Sequence, residues 1–170
     1  MGAIFFPQVF DQLFINELQA SNLTTIADAW GDYGDWLEIY NSASWEADLS
    51  WVFLSDDPSE PDMWRFPSGT SVPANGFLLV WADDDYWKAG LHLPWRLAAS
   101  GDSVYLSVAV AENGRTVVSR IDEIEFGSLP PDSSFGRIPD GGAEWRIFGT
   151  PTPGYSNGGA GPFPGRAGAS

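Results

Sequence analysis

The sequence predicts an all-β fold: two sheets packed as a sandwich, with about seven to ten short strands. Three observations carry that expectation. No window of a dozen residues keeps a helical apolar period without meeting Gly or Pro. Short runs rich in β-branched and aromatic residues recur between turn signals. The runs also differ in whether one face or both faces are apolar, which suits two facing layers better than a single closed barrel.

Leu13 to Ala20, Asp35 to Asn41 and Leu49 to Ser55 form the first three candidate strands. In the second, Leu37 and Ile39 share one face and Trp36, Glu38 and Tyr40 the other, so both faces have groups to pack. Phe77 to Trp81, FLLVW, is apolar on both faces and follows a Pro73-Ala74-Asn75-Gly76 turn, which places it in the middle of a sheet. Ser103 to Val110 alternates cleanly, with Val104, Leu106, Val108 and Val110 on the buried side. The Asn113-Gly114 pair after it suits a type I′ turn, and Val117 onward returns antiparallel. Between Ile121 and Ile124 the apolar phase slips by an odd step, the mark of a bulge. From Asn157 the chain turns to Gly, Ala, Pro and Ser, so residues 1–12 are expected as a lead-in, 13–157 as the domain and 158–170 as a linker or tail.

A chain of 170 residues with 44% apolar residues and nine Trp can fill one core. The formal charge of -15 repels phosphate backbones and anionic headgroups, so nucleic acid is not an expected partner. With no Cys and one His, thiolate chemistry, disulfides and zinc sites built on Cys and His are excluded. The apolar stretch Ile4 to Phe10 lacks a basic leader and is too short to span a bilayer, so no membrane insertion is expected of it. An export signal trimmed from a longer parent protein is the matching expectation.

Seven phrases then fall together in order: LFINELQASN (13–22), GDWLEIYN (34–41), ADLSWVFLSDDP (47–58), WRFPSGTSVPANGFLLVWADDD (64–85), LHLPWRLAASGDSVYL (91–106), SFGRIPDG (134–141) and PTPGYSN (151–157). The series resembles the bacterial branch of the lamin tail domain family. The resemblance implies an immunoglobulin-like β-sandwich and a non-catalytic module of secreted or envelope-associated proteins, there to mediate attachment or association. The DNA contact ascribed to some nuclear members is not carried over, because this chain is so acidic. No sustained heptad accompanies it, so filament formation is not implied.

Two constellations could bear ligand chemistry. In the loop IADAWGDYGDW, Asp28, Asp32 and Asp35 are spaced by glycines that permit tight curvature, so their carboxylates could converge on calcium, helped by carbonyls or by Asp83, Asp84 and Asp85. The spacing is not that of an EF-hand, and the plainer reading of the same residues is Asx turns that keep the loop solvated. Trp30, Tyr33, Tyr86 and Trp87 fall in loops, with Trp45, and can stack on sugar rings or anchor a protein; alternatively they fold back to cap the sandwich.

Enzymatic chemistry has little to stand on. His92 sits among apolar neighbours in LHLPWRL and is expected to be packed and hydrogen-bonded, with no nucleophile elbow nearby. Glu17 and Glu38 interrupt apolar strands, and if buried they call for partners such as Arg65, Arg96 or Arg137. The expected function is therefore an extracellular or envelope-associated anchoring module that meets a protein or a cell-envelope polymer, with a calcium-dependent or carbohydrate-binding module as the alternative.

Overall fold

The computed structural model describes residues 10–158. The expected tail, apart from Gly158, and most of the lead-in lie outside those residues. Among the described residues a single 3-10 turn, Phe10–Gln12, precedes eleven strands. They are β1 (Leu13–Gln19), β2 (Asp35–Asn41), β3 (Ala47–Asp48), β4 (Val52–Ser55), β5 (Trp64–Arg65), β6 (Ser71–Val72), β7 (Phe77–Ala82), β8 (Asp102–Glu112), β9 (Arg115–Phe126), β10 (Ser134–Arg137) and β11 (Trp145–Phe148). The antiparallel sheets run β11-β10-β1-β2-β7 and β5-β4-β8-β9, with a small β3-β6 pair beside them. The fold is the expected all-β sandwich, with two short pairings that no long apolar run in the sequence announces.

The core is written in alternation. Leu37 and Ile39 of β2, Val52 and Leu54 of β4, and Val104, Leu106 and Val108 of β8 all bury their side chains in one cluster. Each fully buried leucine there stabilises the fold by about 2 kcal/mol relative to exposure. In β1 the buried set steps from Leu13 and Ile15 to Leu18, because the pairing with β2 shifts between Ile15 and Glu17. That bulge isolates Asn16, whose amide donates to Asp140 (3.0 Å) and whose carbonyl accepts from the Gly141 N–H (2.9 Å).

The hairpin of β8 and β9 follows the sequence closely. Asn113 and Gly114 adopt φ of 50° and 76°, the left-handed pair that a type I′ turn needs. The register then slips once: Leu106 pairs Asp122 and Ser107 pairs Arg120, leaving Ile121 as the extra residue. This is the bulge that the broken apolar phase of 117–126 announces.

Two expectations need correction. The strand placed at Leu49 to Ser55 is split, because Asp48 turns the chain by accepting the Ser50 N–H (2.8 Å) and hydroxyl (2.6 Å), so regular pairing resumes only at Val52. The FLLVW strand, β7, stands at the end of its sheet rather than in the middle. Its two apolar faces have another cause. Val80 and Ala82 enter the core, Phe77 stacks on Tyr40 with centroids 5.1 Å apart, and Trp81 lies over His92. The outer edge is partly covered by residues 91–93, where the Trp81 N–H donates to the Leu91 carbonyl and the Leu93 N–H to the Trp81 carbonyl, both at 2.8 Å. Among the described residues no helix is long and apolar enough to cross a membrane.

Candidate functional site

Two loops meet at one end of the sandwich. The first runs between β1 and β2 and is organised from within by Asn22, which is buried. Its amide donates to the carbonyls of Ile26 (2.6 Å) and Gly34 (2.8 Å), and its carbonyl accepts the Thr25 N–H (3.0 Å). Asp132 docks the start of the same loop by accepting the N–H groups of Leu23 (2.8 Å) and Thr24 (2.9 Å). Asp28 then closes a tight turn: its Oδ1 accepts the N–H groups of Trp30 (2.8 Å) and Asp32 (2.9 Å), with Gly31 at φ 90° supplying the left-handed step.

The second loop follows β7 and carries Asp83, Asp84, Asp85, Tyr86, Trp87 and Lys88. Lys88 joins the two. Its ammonium, with the side chain only 2% exposed, lies 3.0 Å from Asp28 Oδ2, 2.7 Å from Asp32 Oδ2 and 2.8 Å from Asp85 Oδ2. The hydrogen bonds that its ammonium donates to Asp32, Asp85 and Asp28 hold the Lys88 pKa well above its usual range. Burial alone would raise the pKa of Asp28, but the Asp32 and Trp30 N–H groups together with Lys88 outweigh it and leave the carboxyl below the usual range.

Of the three carboxylates expected to gather round a cation, two come together. Asp28 and Asp32 do converge, but on Lys88, and their third companion is Asp85. Asp35 lies apart, facing Arg96 and the backbone of Asn22 and Leu97, and burial lifts its pKa to about 6. A different trio, Asp28, Asp83 and His92, places one ligand atom from each residue within 4.8 Å of the others. All three are buried and already engaged: His92 Nδ1 is 2.8 Å from Asp83 Oδ2, Asp83 Oδ1 accepts the Asp85 N–H at 3.2 Å, and Asp28 Oδ2 accepts from Lys88. Asp83 and His92 thus hold each other, while Asp28 is joined to the second loop through Lys88. His92 is the packed, hydrogen-bonded histidine its surroundings suggested, and its partner is a carboxylate.

The four candidate contact aromatics do not fold back over the sandwich end. Trp30 is 58% exposed, Tyr33 51%, Tyr86 67% and Trp87 69%. The Trp87 ring centroid stands 5.9 Å from the Lys88 ammonium, so the clip that joins the loops also sits beside one of the presented rings.

The model of the family described as Lamin Tail Domain matches residues 8–126, well over half of the chain. The chain belongs to the lamin tail domain family. Neither the curated proteins nor the solved structures yield a match. The eleven-stranded architecture fits the immunoglobulin-like sandwich of that family of non-enzymatic modules.

The remaining candidates of this lamin tail domain are structural. Glu17 and Glu38 face each other across β1 and β2 and are fully buried, yet neither meets the arginine partner expected of it. Arg137 instead pairs with Asp122 (2.9 Å), and Arg65 lies 4.3 Å from the Trp51 ring centroid. Glu17 accepts from the Ser134 hydroxyl (2.5 Å) and from the N–H (2.9 Å) and hydroxyl (3.0 Å) of Thr152; Glu38 accepts from the Gly154 N–H. The two acids thus fasten the PTPGYSN segment onto the outer face of the sheet. Burial, together with Glu17 and Asp140, lifts the Glu38 pKa to about 9 even against the Gly154 bond.

Lys88, Asn22 and Asp132 are the organising residues that sequence reasoning passed over. For Lys88 a signal existed: it is the only lysine of a strongly acidic chain and directly follows the run Asp83-Asp84-Asp85-Tyr86-Trp87.

Proposed function

We propose that the chain is a non-catalytic association module that anchors a larger extracellular or envelope protein to a protein or a cell-envelope polymer through the two-loop end of the sandwich. One observation carries the reading: Trp30, Tyr33, Tyr86 and Trp87 are all presented to solvent on loops that a buried ion cluster holds in place. Four large rings left in water forgo the stabilisation that burial would bring, and anchoring them on a fixed frame lowers the ordering cost of binding. The family, one of non-enzymatic modules, supports the absence of catalysis in this proposal.

The test is retention of the purified chain on envelope fractions of the cells that make it. Wild type is retained, and the Trp30→Ala/Tyr86→Ala/Trp87→Ala variant is washed away while melting at the wild-type temperature. Equal retention of the variant, or no retention of either, overturns the proposal.

A further inference from the structure

The occupant of the two-loop end can be narrowed by charge, an inference that rests on the association reading above. The rings do not stand alone. Asp84 is exposed beside Tyr86, and Asp32, with a side chain 66% exposed, lies between Trp30 and Tyr33. Of the ionic groups at this end, Asp28, Asp32, Asp35, Asp83, Asp84 and Asp85 are acidic, against two cations, the enclosed Lys88 and Arg96, which faces Asp35, so the surface that carries the aromatics is negative. The chain as a whole carries a formal charge of -15.

The protein's own cations are largely spoken for. Lys88 is enclosed by three carboxylates, while Arg120, Arg137 and Arg146 each pair with an acid. Several also rest on rings: Arg65 on Trp51 at 4.3 Å, Arg120 on Tyr105 at 4.4 Å and Arg137 on Trp145 at 4.6 Å. Within this molecule, then, Arg120 and Arg137 each combine a ring face with a carboxylate, Tyr105 with Glu123 and Trp145 with Asp122. At the two-loop end rings and carboxylates are neighbours along the chain and exposed together, Asp32 between Trp30 and Tyr33 and Asp84 two residues before Tyr86.

We propose that this end takes a lysine- or arginine-bearing segment of a partner protein, whose cations lie over Trp30, Tyr33, Tyr86 or Trp87 and pair with Asp32 and Asp84. Ring faces and carboxylates reinforce each other for such a ligand, since both attract positive charge. A neutral sugar polymer would use the rings and leave the charge idle; an anionic polymer would be repelled.

The probe is a fluorescently labelled peptide of alternating Arg and Lys with Gly-Ser spacers, titrated into the full chain and read by anisotropy. An acidic peptide of equal length and cellohexaose and chitohexaose serve as comparisons. The basic peptide binds, its affinity falls at least tenfold between 50 and 500 mM salt, and the Trp30→Ala/Trp87→Ala variant, which keeps every charge, loses about tenfold. Tyr33→Ala/Tyr86→Ala gives a similar loss without touching the ring beside Lys88. Both variants keep the wild-type melting temperature within a few degrees, because the rings are exposed.

Undiminished binding by both variants overturns the proposal, since the attraction would then belong to the whole acidic surface. Binding of a hexaose in place of the peptide also overturns it while leaving the association reading intact. If neither ligand binds, the cationic occupant is rejected, and envelope retention decides the broader reading separately.

Discussion

Glu38→Gln should make this domain more stable at neutral and alkaline pH. Glu38 is fully buried opposite Glu17, accepts the Gly154 N–H, and has its pKa raised from an ordinary 4.5 to about 9 by burial first and by neighbouring acids second. A carboxyl raised in the folded state contributes its full stability below the unfolded pKa. That contribution is lost progressively as pH rises towards the folded value, because only the unfolded chain releases the proton. Each pH unit within the window removes about 1.4 kcal/mol, so near pH 7.5 up to about 4 kcal/mol has gone, an order-of-magnitude ceiling. Glutamine matches the neutral acid in shape and its carbonyl can still accept from Gly154. Urea unfolding at about pH 4.5, 7 and 8.5 measures the difference between wild type and variant. The reasoning expects near equality at the acid end and an advantage for the variant growing by about 1.4 kcal/mol per unit thereafter. A gap that stays constant with pH, or a variant less stable at every pH, refutes it.

Three further outcomes follow from the two-loop end. Lys88→Met leaves Asp28, Asp32 and Asp85 without their shared cation, so the amides of Trp30 and Asp32 should lose hydrogen-exchange protection while the β8–β9 ladder keeps its own. Gly34→Ala would set a methyl group 2.7 Å from Asp83 Cβ, and denaturant unfolding should register a loss of about 1–3 kcal/mol. Calcium at millimolar concentration should leave the wild-type melting temperature unchanged, because Lys88 already neutralises the converging carboxylates; a clear rise would show that a metal displaces it.

Legibility in the sequence tracked how local each cause was. The Asn113-Gly114 turn, the Ile121 bulge and the alternation of β8 depend on residues next to one another, and all three were readable from the chain. The place of FLLVW in its sheet was not, because a strand at the sheet end whose rings stack on Tyr40 and His92 reads like a central one. The same limit applied to the loop acids. Spacing showed that Asp28 and Asp32 could converge, but a side chain 60 residues from Asp28 decided on what. Glu17 and Glu38 were recognised as unusual, while their true partners, Thr152 and Gly154, lie over a hundred residues away. A carboxylate can be satisfied by backbone N–H groups and hydroxyls, which no charge pattern reveals.

Lys88 is the only lysine in the chain, and it stands where the two loops are joined. Any reagent or enzyme that modifies side-chain amines has this single target, and reaches it only when the carboxylates let go. Acylating it would abolish the positive charge and free the rings to move independently. The labelling rate at one atom is therefore a direct clock for the opening of this end.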